Sequence, residues 1–173
     1  KPFNNKICEF LSEVSSDLLK NKKNYPEIVS FAFWCRKSNI NFLKKKYLDN
    51  SFRLGRGIVF HITPSNIAIN FAYSFAFGLL SGNSNIIRVA QKNPVNKIII
   101  NSFNKIFNKK KFNFLKKSNK FIFYNKNSKI TEIISKFCDA RIIWGGDHTV
   151  NQIKKIPTKP RCIDIAFSDR YSL

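Results

Sequence analysis

Gly57-Ile58-Val59-Phe60-His61-Ile62-Thr63-Pro64-Ser65-Asn66 runs straight into an apolar stretch from Ile67 to Leu80, and Asn85-Ile86-Ile87-Arg88-Val89 follows. The first piece is short, rich in β-branched and aromatic residues and stopped by Pro64, which predicts a strand. Ile67 to Leu80 is apolar nearly all round, which predicts a buried helix with Asn66 as its N-cap. Gly82-Asn83 ends that helix, and Asn85 to Val89 is a second strand. Two strands apolar on both faces, joined by a buried helix, need a parallel sheet covered by helices.

Working outward, the alternation continues. Asn93-Pro94 caps and opens a helix carrying Ile98, Ile99, Phe103, Ile106 and Phe107. A Lys-rich stretch from Lys109 to Lys120 precedes the predicted strand Phe121-Ile122-Phe123-Tyr124. A helix is predicted from about Lys129 to Phe137, then the strand Ala140-Arg141-Ile142-Ile143-Trp144. Gly145-Gly146-Asp147 turns into a helix from His148 to about Lys155, with Asp147 as its cap. Cys162 to Phe167 is the last strand. The expected fold is therefore α/β: a Rossmann-like, mostly parallel sheet with helices on both faces over residues 51–173. Residues 1–50 precede it as a helical, polar segment. There Leu11, Val14, Leu18 and Leu19 recur at helical spacing, and Pro26 opens a second helix through Ile28, Phe31, Ala32 and Cys35. Lys44-Lys45-Lys46 reads as a solvated face.

The 173 residues suit one domain with a small appendage, and 43% hydrophobic against 24% charged suits a packed globule rather than a disordered chain. Lys+Arg 31 against Asp+Glu 10 gives a net charge of +21, which raises nucleic acid, anionic membrane or a phosphorylated ligand as partners. The excess is nearly all Lys and comes with many Asn, Ile and Phe, the residues of A/T-rich codons. Drift in base composition therefore accounts for the charge without any partner. Cys8, Cys35, Cys138 and Cys162 stand far apart, with no C-x-x-C, which excludes zinc ribbons and fingers; no metal site is expected. Reduced thiols and the lack of a signal peptide point to the cytoplasm. Residues 57–87 carry no charged side chain, but Pro64-Ser65-Asn66 and Ser81 to Asn85 break the run, so no membrane span is expected. The start at Lys1-Pro2-Phe3, without Met, suggests a piece of a longer protein.

In open parallel sheets, ligands bind beyond the carboxyl ends of the strands. The turns that matter are Thr63-Pro64-Ser65-Asn66, Arg88-Val89-Ala90-Gln91, Asn125 with its neighbours, and Gly145-Gly146-Asp147. Taken singly, each has an ordinary reading. Asn66 caps a helix, Arg88 is a strand-end cation in water, Gly145-Gly146 is a tight turn, and His148 lies on a helix surface.

Taken together, they resemble the cofactor-binding domain of the aldehyde dehydrogenase superfamily, and more closely the LuxC-type acyl-CoA reductases, the fatty-acid reductase family of bacterial bioluminescence and its relatives. The resemblance runs from about Gly55 to Leu173. It is carried by Gly57 to Asn66, by Gly78-Leu79-Leu80-Ser81-Gly82-Asn83-Ser84-Asn85-Ile86-Ile87-Arg88-Val89, by Ala140 to Asp147, and by Phe167-Ser168-Asp169-Arg170-Tyr171-Ser172. It implies that Asn66 is the amide donor to an oxyanion. It also implies that Ile62, Thr63, Pro64, Ser65, Arg88, Gln91, Gly145 and Gly146 hold a nicotinamide nucleotide. Where many NAD-using members have Glu, this chain has Gln91; an Arg88 with a neutral neighbour can pair with a 2′-phosphate, so NADPH is expected, with NADH possible. Gly146-Asp147-His148 departs from the commoner Gly-Ser-Thr. The superfamily's nucleophilic cysteine lies in a separate catalytic domain, and no cysteine here falls at that place; Cys138 and Cys162 read as small core residues. The implied whole enzyme reduces long-chain acyl-CoA, or an acyl-protein, to aldehyde within a homo-oligomer or multienzyme complex. Two rivals stand beside this reading. One is a nucleic-acid-binding module on the stretch Lys105 to Lys129, disfavoured because its Phe residues fall within predicted helix and strand. The other is a non-catalytic family member used in assembly.

Overall fold

Five strands form one parallel sheet in the computed structural model, which describes residues 1–20, 25–64, 67–90, 93–125 and 128–168. Three helices come first: α1 (Asn5–Lys20), α2 (Pro26–Trp34) and α3 (Lys37–Tyr47). Then β1 (Ile58–Ile62), α4 (Asn70–Leu80), β2 (Ser84–Arg88) and α5 (Pro94–Phe107) alternate. A 3-10 turn at Lys110–Phe112 leads to α6 (Asn113–Ser118), β3 (Asn119–Ile122), α7 (Ile130–Ser135), β4 (Ala140–Trp144), α8 (Asp147–Lys154) and β5 (Ile163–Phe167). The strand order is β3-β2-β1-β4-β5, so the chain winds outward from β1 in one direction and then crosses back to wind in the other. The reversal falls between β1 and β4, where such sheets open a ligand crevice. The α/β class, the parallel sheet and the helices on both faces are as the sequence predicts.

Alternation along the strands sorts the two faces. Phe60, Ile62 and Ile143 point to one side, where they pack with Ile134, Cys138, Val150 and Ile153 around α7 and α8. Ile87, Phe121 and Val89 point to the other, onto α4 and α5. This second layer is thicker because α1 and α2 lie on α4 and α5. Phe10 of α1 is fully buried and stacks on Phe107 of α5 at 4.8 Å between ring centroids, and Phe75 meets Phe103 edge-on at 5.0 Å. The first fifty residues are thus not merely polar; their apolar stripe completes this core.

Three lysines that add to the net charge are neutralised locally. Lys105 pairs with Asp17 at 2.5 Å, Lys109 with Glu13 at 2.5 Å, and Lys111 with Glu9 at 2.6 Å, a ladder tying α5 and the following turn to α1. Such exposed pairs contribute roughly 0–1 kcal/mol each. Phe107 and Phe112 of the same stretch are buried, whereas Phe114 and Phe123 stay exposed.

Local differences have physical reasons. Asn93 caps α5 as expected, its side chain accepting from Asn96 N–H at 2.8 Å. Gly82 ends α4 at φ +80°, a conformation that favours glycine. Helix α4 begins only at Asn70, with Ile69 at its N-cap and no side-chain cap. Asp147 is not the cap of α8; that place is taken by Gly146, and Asp147 lies in the first turn, where its charge suits the helix dipole. β3 starts two residues earlier than predicted, because Asn119 pairs with Asn85 in the ladder. No helix of the described residues is long and apolar enough to cross a membrane.

Candidate functional site

The registers Ile62↔Arg88, Ile62↔Ile143 and Trp144↔Phe167 bring the carboxyl ends of four strands to one edge. Beyond that edge lies an open cleft of about 640 Å³. Ligand pockets commonly span roughly 300–1,000 Å³. Of the residues singled out from sequence, Ile62, Thr63, Pro64, Arg88, Gly145 and Gly146 all line it. Ser65, Asn66 and Gln91 lie outside the described residues. The sequence does not single out Glu132, Trp144, Thr149, Gln152 and Phe167, which line the cleft too. Trp144 and Phe167 are visible as strand ends; Glu132 and Gln152 carry no local signal and reach the cleft only through the packing of α7 and α8.

Each residue is held for a reason. Thr63 donates its hydroxyl to the Arg88 carbonyl at 2.7 Å, tying the ends of β1 and β2 together. Arg88 is 8% exposed, so it is not a strand-end cation in water. Its guanidinium lies 5.2 Å from the Tyr124 ring centroid, and among the described residues no carboxylate pairs with it. Burial pushes the Tyr124 phenol up, with its hydrogen bond to Thr131 and the Arg88 charge opposing. A buried cation on a ring, facing a cleft without its own anion, is suited to a phosphate. Gly145 donates its backbone N–H to the Phe167 carbonyl at 3.2 Å, so the donors left for an anion are those at the start of α8. Glu132 brings the cleft a carboxylate, which repels phosphate and accepts from hydroxyls.

None of the four cysteines serves this edge. Cys138 and Cys162 precede β4 and β5 at the opposite end of the sheet, with their sulfurs 3.9 Å apart; Cys138 is fully buried and Cys162 half-buried. Cys35 is buried in the helical layer, where burial alone holds its thiol far above the ordinary range, and Cys8 lies on α1. His148 is exposed and bonded to Gln152 at 2.9 Å. No cluster of metal-ligating side chains occurs among the described residues.

The fold is shared with several solved structures. An NAD-dependent benzaldehyde dehydrogenase from Corynebacterium glutamicum superposes with a TM-score of 0.73 at 13% identity, over 97% of this chain and 42% of that one. A glyceraldehyde-3-phosphate dehydrogenase from Methanocaldococcus jannaschii, complexed with NADP, gives 0.70 at 15% identity, over 95% and 41%. A mutant of proline utilization A from Bradyrhizobium japonicum gives 0.72 at 14% identity, over 97% and 20%. The chain thus spans less than half the length of these proteins. No curated protein matches. The sequence profile of one family, described as acyl-CoA reductase (LuxC), matches residues 35–173.

Proposed function

Because this chain belongs to the acyl-CoA reductase (LuxC) family, we propose that it is the nucleotide-binding part of an NAD(P)H-dependent reductase of long-chain acyl-CoA or acyl-protein. The observation that carries the reading is the convergence of Arg88, Thr63-Pro64 and Gly145-Gly146 on one cleft at the crossover point of the sheet. The residues fit such a group: a cation that no carboxylate among the described residues pairs with, N–H groups at the start of α8, and a volume of ligand size. Arg88 and the start of α8 would hold phosphates, and Glu132 would accept from ribose hydroxyls. When bound, the nucleotide supplies hydride. Asn66 is the proposed donor to the oxygen that gains negative charge as a cysteine-bound thioester is reduced; the cysteine itself lies outside this chain, since none of its four reaches the cleft. A cytoplasmic homo-oligomer or multienzyme complex is the setting we propose for the whole enzyme.

Arg88→Ala should weaken NADPH by about tenfold or more, as expected for loss of a charge-assisted contact, and NADH clearly less. Titration calorimetry with both nucleotides reads this directly, and equal losses would remove the 2′-phosphate contact. In the full-length enzyme carrying this chain, Asn66→Ala should lower turnover on the order of a hundredfold while leaving nucleotide affinity within about twofold. Unchanged turnover would withdraw the oxyanion role.

A further inference from the structure

A line of buried polar side chains runs under the sheet from the cleft wall into the core, and every link in it has a fixed direction. Asn119 donates its amide to the Leu115 carbonyl at 2.7 Å. Asn85 donates its amide to Asn119 Oδ1 at 2.7 Å and to the Asn83 carbonyl at 3.0 Å, so its oxygen is the atom turned to His61 Nε2 at 2.9 Å. Nε2 must therefore carry the proton, and Nδ1 is left as an acceptor. The Ser74 hydroxyl lies 2.8 Å from Nδ1 and donates to it. The Ser74 oxygen in turn accepts from the indole N–H of Trp144 at 3.3 Å. His61, Ser74, Asn85 and Asn119 are all at most 4% exposed, and the chain ends at the one member that lines the cleft. Gly78 makes room for it: a Cβ there would come within 2.1 Å of Asn85 Oδ1.

Core polar groups are costly to bury, and apolar residues would fill this space more simply. What the line achieves at its outer end is to set one ring. Trp144 stacks on Phe167 with ring centroids 4.2 Å apart and planes 14° from parallel, and Phe167 stays 46% exposed. Both rings line the cleft beside Gly145. We propose that this aromatic pair is the stacking wall for a planar ring of the bound nucleotide. Ser74, backed by His61, is the positioning residue that fixes the indole there. The proposal rests on the nucleotide-binding reading above, and deepens it.

The test uses Trp34→Phe as a background, which leaves Trp144 as the one indole. Oxidised NADP, adenosine 2′,5′-bisphosphate and nicotinamide mononucleotide are titrated separately while Trp144 fluorescence is followed. NADP should quench it, and whichever half-molecule also quenches identifies the stacked ring. Trp144→Leu should weaken NADP about tenfold by calorimetry, in line with stacking losses of about 1–3 kcal/mol per ring, whereas Trp144→Phe should keep most of the affinity. Ser74→Ala should weaken NADP about threefold with Trp144 present and have no effect in the Trp144→Phe chain, where there is no indole N–H to position. A merely structural Ser74 would cost the same in both. NADP binding that is indifferent to Trp144→Leu overturns this inference alone; no binding by the unaltered chain overturns the parent reading as well.

Discussion

Asp164→Ala should lower the unfolding free energy by about 2–3 kcal/mol, because it leaves the buried Arg141 guanidinium without its carboxylate, while the Asp164 side chain itself is 22% exposed. The Arg141 side chain on β4 is 2% exposed, and its Nε and one terminal nitrogen each donate to a different Asp164 oxygen at 2.7 Å. The other terminal nitrogen donates to Ser135 Oγ at 3.2 Å and to the Ile156 carbonyl at 3.1 Å. Those two partners neutralise nothing, so without the carboxylate a whole positive charge stays in the layer between sheet and helices. The urea midpoint should fall with little change in slope. The double variant Arg141→Met with Asp164→Leu should recover most of the loss, because it removes both charges and keeps the volume. A single variant within about 0.5 kcal/mol of the unaltered chain, the range of ordinary surface substitutions, would show that water reaches the guanidinium.

Acid should destabilise the chain through His61 by about 3 kcal/mol between neutral pH and pH 4, since each tenfold difference in proton affinity between the folded and unfolded states is worth about 1.4 kcal/mol. Burial pushes the imidazole down to about 4 from 6.5, with the Asn85 hydrogen bond opposing. The folded state therefore binds a proton less readily than the unfolded one. Stability is full above pH 6.5, falls as pH drops below it, and levels off near pH 4. The hydrogen-bond line explains why the ring resists. A second ring proton would land on Nδ1, where the Ser74 hydroxyl already points its own hydrogen. Imidazole NMR signals should show His61 neutral at about pH 5. A ring titrating near its ordinary value in the folded chain would contradict this account.

The sheet is legible in the sequence because its strands are short apolar runs, two of them with clear stops at Pro64 and Gly145, and because Gly82 marks the end of the helix between β1 and β2. Its cleft is legible for a related reason: in a parallel sheet, the residue that ends a strand is also the one that meets a ligand. Thr63, Arg88 and Gly145 can be found by position alone. What stays hidden in the sequence depends on contacts between distant elements. Asn85 reads as a plain strand residue and Asn119, 34 residues on, as part of the Lys-rich stretch before the next strand, and only the β2–β3 ladder makes them partners. Arg141 reads as one more cation in a basic chain until β5 sets Asp164 beside it. The burial of Arg88 escapes a local reading because Tyr124, which covers it, comes from beyond β3.

The family profile starts at residue 35, while α1 ends at Lys20 and still delivers Phe10 to the ring stack on α5. The fold shared with the solved structures, by contrast, covers up to 97% of this chain, so the helices before residue 35 belong to it as well. A piece cut at the profile's border would take the Phe10 ring away from Phe107 and Phe112. For this chain the segment that the profile matches is smaller than the piece whose buried rings complete the helical side of the core.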